Sequence, residues 1–209
     1  MPLAWAPHGN SWPTGVLGTG GGVQWITTAF DTYCLTFARG LEIGELVRRM
    51  GDDPGAIREG LSADEAMDWS YEKGLVARLG SCGGWAFALE HWSAEGMERG
   101  ALRDVSRGTE AVVYLDGGAP PRWFLYAEDG RVLGDFEPGW GAPQLGGDDP
   151  GRLVPAMREV GLLLTDGTAA PDVDAETKIL DMGERHFGLG LPREAVEHGT
   201  LAAVSFAPF

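Results

Sequence analysis

The sequence predicts an α+β fold: a mostly antiparallel sheet, made of a meander plus a hairpin, with helices packed on one face. Short apolar runs of β-forming residues follow one another across tight turns, segments of helical period sit between groups of such runs, and 44% of the 209 residues are hydrophobic. A chain of this length buries about 70% of the surface its unfolded form exposes, so neither a metal nor a disulfide is needed to hold it together and stability gives no hint of a cofactor; no cofactor is expected because the sequence carries no complete ligand motif.

Residues 1–24 are rich in Gly, Pro and Trp, without period, and end in Gly18-Thr19-Gly20-Gly21-Gly22. They predict a flexible arm ahead of a single α+β domain over residues 25–209. The run Tyr33 to Ala38 alternates as a strand does; Gly40 breaks it, and Ile43, Leu46, Val47 and Met50 then recur at helical spacing up to Gly51. Ser62-Ala63-Asp64-Glu65 fits a capping box, in which hydroxyl and carboxylate satisfy each other's orphan backbone donors, and predicts a helix to about Lys73 that ends at Gly74.

Leu75–Leu79 and Trp85–Glu90 form a predicted hairpin around Gly80-Ser81-Cys82-Gly83-Gly84, and Met97, Ala101, Leu102 and Val105 mark a helix closed by Gly108. The glycines Gly96 and Gly100 weigh against that helix. Three strand-like runs follow, Glu110–Leu115, Arg122–Ala127 and Arg131–Phe136, with Asp129-Gly130 supplying a turn of positive φ. Glycines and prolines make 137–149 a loop, after which Asp149-Pro150 is expected to cap a helix carrying Leu153, Val154, Met157 and Val160. A second helix behind an Asp174 cap carries Ala175, Ile179, Met182 and His186 and closes at Gly188; Leu191-Pro192-Arg193-Glu194 reads as a capped turn and Leu201–Phe206 as a strand or a packed tail.

Thirty-one acidic against sixteen basic residues give a net charge of −15, which disfavours nucleic acid and anionic membranes as partners. Arg48-Arg49 and Arg99, Arg103 and Arg107 lie among acids on predicted helices and read as solvated faces. The start of the chain has no signal-peptide pattern and no run of about 18 apolar residues occurs, so a cytoplasmic location is expected. Two distant cysteines match neither a disulfide framework nor a zinc site: Cys34 reads as a small core residue and Cys82 as the more exposed thiol.

No complete catalytic motif is present. Gly18 to Gly22 lacks the Lys-Ser or Lys-Thr ending of a phosphate loop and follows irregular sequence, so it reads as a linker rather than an anion cradle. The acids Asp129, Asp135, Glu137, Asp148 and Asp149 lack regular ligand spacing and read as acidic surface. Glu90-His91-Trp92 places an imidazole beside a carboxylate, but adjacent strand residues face opposite ways and His91 is expected to be exposed at a strand end. Trp5, Trp12, Trp25 and Trp140 lie in irregular segments, where tryptophan serves as an interface anchor or as a lid on the core.

The runs Tyr33-Cys34-Leu35-Thr36-Phe37-Ala38-Arg39-Gly40-Leu41, Gly83-Gly84-Trp85-Ala86-Phe87-Ala88-Leu89-Glu90 and Tyr126-Ala127-Glu128-Asp129-Gly130-Arg131-Val132 resemble an uncharacterised domain-of-unknown-function family of high-GC Gram-positive bacteria, over roughly residues 25–206. That resemblance implies a strand-and-helix framework and no activity, and it draws attention to Arg39, Trp85 and Glu90 at strand ends.

Three functional classes remain open. The first is a non-enzymatic cytosolic protein-binding module, a regulator, adaptor or immunity-like factor, with Trp12 and Trp140 as the candidate interface to another protein. The second is a small-ligand binder or enzyme whose cleft gathers Arg39, Trp85, Glu90 and His91; its geometric condition is that Trp85 and Glu90 face one cavity, which five residues of regular strand forbid unless a bulge intervenes. The third is a structural subunit of a larger assembly, including association with further copies of the chain.

Overall fold

The structure, a computed structural model, describes residues 21–118, 122–137, 144–170 and 174–206. In chain order the elements are α1 (Ile26–Ala29), β1 (Tyr33–Arg39), α2 (Ile43–Arg49), β2 (Arg58–Leu61), α3 (Ala63–Lys73), β3 (Leu75–Cys82), β4 (Trp85–Glu90), α4 (Arg99–Val105), β5 (Glu110–Asp116), β6 (Arg122–Glu128), β7 (Arg131–Phe136), α5 (Val154–Glu159), α6 (Ala175–Met182), α7 (Arg193–Glu197) and β8 (Leu201–Phe206). The eight strands form one open antiparallel sheet in the order β2-β8-β3-β4-β1-β5-β6-β7.

The predicted hairpin is β3–β4, turning on Gly83 and Gly84, both of which have positive φ, and the predicted meander is β5–β6–β7. The remaining order is long-range. β1 lies between β4 and β5, and β8 enters the sheet between β2 and β3, so the C-terminal run is an inner strand rather than a tail. The capping box of α3 forms, with Ser62 and Glu65 each bonding the other's backbone, and Gly74 ends the helix at φ 91°.

Helices cover both faces of the sheet, not the one face expected. Along β1 and β4 the alternation is large against small, since Tyr33, Leu35, Phe37, Trp85, Phe87 and Leu89 share one core while Cys34, Ala38, Ala86 and Ala88 belong to the other. Both sets are apolar, so both faces need covering. α5, α6, α7 and the π-turn Gly183–Phe187 pack on the aromatic face; α2 and α4 pack on the small-residue face.

Three boundaries differ from expectation for local reasons. Val23 is fully buried and the backbone N–H groups of Val23 and Gln24 donate to the Glu184 carboxylate, so the last residues of the expected arm belong to the fold. The helix expected behind Asp149-Pro150 begins only at Val154, with Leu153 in the cap position, because Asp148 and Asp149 spend their N–H groups on the carbonyls of Val132 and Leu133 at the β7 edge. The helix α4 starts at Arg99, after a 3₁₀ turn at Glu95–Met97 that holds Gly96.

Candidate functional site

At the end of the sheet where β1 begins, four polar side chains on the aromatic face, Tyr33, Tyr114, Asp116 and Arg122, meet Glu176 in the first turn of α6. Antiparallel register sets Tyr33 beside Asp116, and Asp116 beside Arg122 at the start of β6. The Tyr33 hydroxyl donates to Glu176 Oε1 at 3.2 Å; Arg122 Nε lies 3.1 Å from Asp116 Oδ2 and its Nη2 lies 3.5 Å from Glu176 Oε2. The Gly118 N–H fills the other oxygen of Asp116 at 2.8 Å. Tyr114 packs against Tyr33 with ring centroids 5.8 Å apart, and its buried hydroxyl meets no partner in hydrogen-bond geometry among the described residues. Burial raises both phenols well above their ordinary range, and burial together with Asp116 pushes Glu176 up to about 7.

On the opposite face of the same end, Glu90 is fully buried beside Cys34. Its carboxylate accepts from Ser93 Oγ at 2.7 Å and from the backbone N–H groups of Glu95 at 2.8 Å and Gly96 at 3.0 Å. Burial raises its pKa, and burial beside Glu90 raises the Cys34 thiol. These three bonds fix the segment that leaves β4. Within that segment His91 is buried against Phe30, while Trp92 is 69% exposed and has φ 63°, a backbone conformation that bulky side chains rarely adopt.

A shallow polar depression of about 490 Å³ lies at the far side, between Glu128, Arg131, Asp148 and Arg152. Its arginines are already bridged, Arg131 to Asp148 at 3.2 Å and Arg152 to Glu128 at 3.0 Å. Among the described residues no group of three or more His, Cys, Asp or Glu side chains is placed to hold a metal ion, and no helix is long and apolar enough to cross a membrane.

The profile of a family of unknown function, DUF6461, matches residues 23–204. The chain belongs to this family. No curated protein and no solved structure matches it.

In this DUF6461 chain the four residues of the expected cleft are not brought together. Arg39 and Trp85 pair across β1 and β4 at the far end of the sheet, the guanidinium 4.4 Å from the indole centroid, and both donate to the Phe187 carbonyl, Arg39 Nη2 at 3.3 Å and Trp85 Nε1 at 3.2 Å. Arg39 is also bridged to Glu110 at 2.8 Å. Glu90 is five residues along β4 from Trp85 and lies on the other face; no bulge interrupts that strand.

His91 is buried rather than exposed, because the chain turns inward against Phe30 before Trp92 turns out. Burial, with the Arg78 charge nearby, lowers its pKa to about 4, so the imidazole is neutral at pH 7. Cys82 is also buried: β3 continues to it, it pairs with Trp85, and Gly190 passes over its sulfur. Trp12 and Trp140 lie outside the described residues. Trp25 lids the aromatic core under Arg193, whose guanidinium lies 5.5 Å from its ring.

The acids read as surface are spread by the fold. Asp135 is buried under Arg99 and Trp123 Nε1, and Asp129 caps Gly108 at 3.1 Å. Gly18 to Gly20 lie outside the described residues; just after the glycine run, the backbone N–H groups of Val23 and Gln24 donate to the chain's own Glu184 carboxylate. Sequence reasoning missed Trp92, Glu176 and Arg78. Arg78 is fully buried with no carboxylate partner among the described residues, and its guanidinium donates to the carbonyls of Val196 at 2.7 Å and of Ala195 and Gly199 at 3.4 Å, at the C-terminus of α7.

Proposed function

We propose that the chain is a non-enzymatic cytosolic protein-binding module whose recognition rim centres on Trp92, at the end of β4. The observation that carries this reading is an indole 69% exposed on a left-handed backbone, followed by a loop fixed by three hydrogen bonds to a fully buried carboxylate. Strain of this kind costs about 1–3 kcal/mol and persists only where its surroundings hold it. An exposed tryptophan held in place loses little freedom on docking, which is what an interface anchor requires. The net charge of −15 favours a partner with a basic face, through faster encounter rather than tighter contact.

The test is purification of the tagged chain from its native host, with mass spectrometry of co-eluting proteins and small molecules. A stoichiometric protein partner is expected with the wild-type chain and is expected to be lost with Trp92→Ala, which leaves the thermal unfolding curve within about 1 kcal/mol of wild type because the ring packs on little. A partner retained equally by Trp92→Ala overturns the assignment of the rim. A chain that elutes alone, or with a small molecule only, overturns the module reading itself.

A further inference from the structure

Three of the described tryptophans carry an arginine of the chain itself over the ring. Arg193 lies over Trp25 at 5.5 Å, Arg58 over Trp69 at 4.1 Å and Arg39 over Trp85 at 4.4 Å, guanidinium carbon to ring centroid. In each contact the negative face of the indole attracts a cation, and arginine suits it best because its guanidinium is flat and weakly hydrated. Trp123 spends its Nε1 on the buried Asp135. Trp92 differs from all four: it is 69% exposed, and among the described residues no arginine lies over its ring.

The charges beside it are one-sided. Glu95 and Glu98 follow Trp92 in the same fixed loop, and Asp31 follows Phe30, whose ring centroid lies 4.7 Å from that of His91, the residue before Trp92. None of these three carboxylates forms an ion pair among the described residues. Elsewhere Glu45, Glu110, Glu128, Asp148, Asp181 and Glu197 are each bridged to an arginine. Arg99, next to Glu98 in the chain, pairs with Asp135 instead. Burial, and after it the Glu98 charge, raises the Glu95 carboxyl, so a cation docked here relieves a repulsion that the chain leaves in place.

We propose that the partner of the Trp92 rim presents a basic, arginine-bearing peptide segment: one guanidinium stacks on the indole and its neighbours pair with Glu95, Glu98 and Asp31. The inference rests on the module reading above and names what that module takes. The net charge of the whole chain does not replace this local set. At about 0.15 M salt exposed charges are screened beyond about 8 Å, so distant acids speed the encounter while only nearby ones act on the docked cation.

Fluorescence anisotropy of a labelled hexa-arginine peptide, titrated with the full chain at about 0.15 M salt, tests the proposal. Trp92→Ala is expected to weaken binding about three- to fivefold, the loss of one exposed cation–π contact, and the pair Glu95→Gln with Glu98→Gln about threefold or more. Glutamine keeps the side-chain length, and Glu98 makes no side-chain cap bond to α4, so the fold is expected to hold. The pair Asp64→Asn with Glu194→Gln removes the same charge from exposed positions in the first turns of α3 and α7 and is expected to leave binding unchanged. No binding of hexa-arginine, equal weakening by the two charge pairs, or binding unmoved by Trp92→Ala overturns the proposal. The two readings fail separately: a host partner lost with Trp92→Ala but kept by Glu95→Gln with Glu98→Gln overturns the basic segment and leaves the rim.

Discussion

Gly96→Ala tests whether the buried carboxylate site is as tight as its geometry implies. A Cβ built on Gly96 lies 1.9 Å from Thr36 Oγ1, whereas ordinary contacts begin at 3.4 Å, so about 1.5 Å of overlap must be relieved. Thr36 is in the central strand β1 and is 1% exposed, which leaves little room for its side chain to swing. Overpacking of this order costs about 1–3 kcal/mol. For a chain of this size the melting temperature falls by about 2–4 °C per kcal/mol.

The Thr36 hydroxyl is itself buried without a partner among the described residues, so Thr36→Ala exchanges a lost methyl contact for a relieved desolvation cost and is expected to be nearly neutral. In that background the nearest remaining atoms to the new Cβ are Thr36 Cβ, retained in alanine, and Glu90 Oε1, both at 3.3 Å, a misfit of a tenth or two of an ångström. The double variant is therefore expected to recover about 1–2 kcal/mol relative to the sum of the singles, measured by urea unfolding in a double-mutant cycle. A harmless Gly96→Ala, or a double variant as unstable as Gly96→Ala alone, would refute the packing argument.

The other expectations concern the core and the thiols. Phe187 is 6% exposed and packs within 5.0 Å of Tyr126, 6.2 Å of Phe124 and 6.5 Å of Trp85, centroid to centroid, so Phe187→Ala should cost about 3–5 kcal/mol in chemical denaturation; a loss under about 1 kcal/mol would mean the π-turn does not dock there. Neither thiol should react with an aromatic disulfide reagent in the folded chain near pH 8, and both should react after denaturation, because Cys34 and Cys82 are buried and Cys34 is held protonated beside Glu90. One fast equivalent in the folded chain would contradict the burial of Cys82.

The parts of the fold legible in the sequence are those written in local chemistry. Ser62 and Glu65 three residues apart, Gly83-Gly84 between two apolar runs and Asp129-Gly130 between two more each specify a cap or turn that the structure contains. Element order in the sheet is different in kind. Nothing near Tyr33 or Leu201 says that their strands will be inner ones, since that depends on partners far along the chain. The one-face error has a readable cause: Tyr-Cys-Leu-Thr-Phe-Ala alternates in size rather than in polarity, and a strand whose small side chains are also apolar must be covered twice.

For the candidate site, sequence reasoning carried a negative argument further than a positive one. Period two alone says that Trp85 and Glu90 part company, and the structure places them on opposite faces. The same rule cannot say what each finds there. Glu90 meets three donors because a 3₁₀ turn folds under it, and Glu176 meets Tyr33 and Arg122 because α6, far along the chain from both, ends up over that end of the sheet. Trp92 was hidden for a related reason: after Glu-His it looks like the last residue of a strand, and only the buried anchor on one side and the left-handed backbone beneath it turn the indole outward. Function in this fold is therefore sought where the chain leaves its regular elements, at the end of the sheet where β1 begins and β4 and β5 end, and there the Glu176 carboxyl between Tyr33 and Arg122 and the indole of Trp92 are the two features whose positions the core alone does not require.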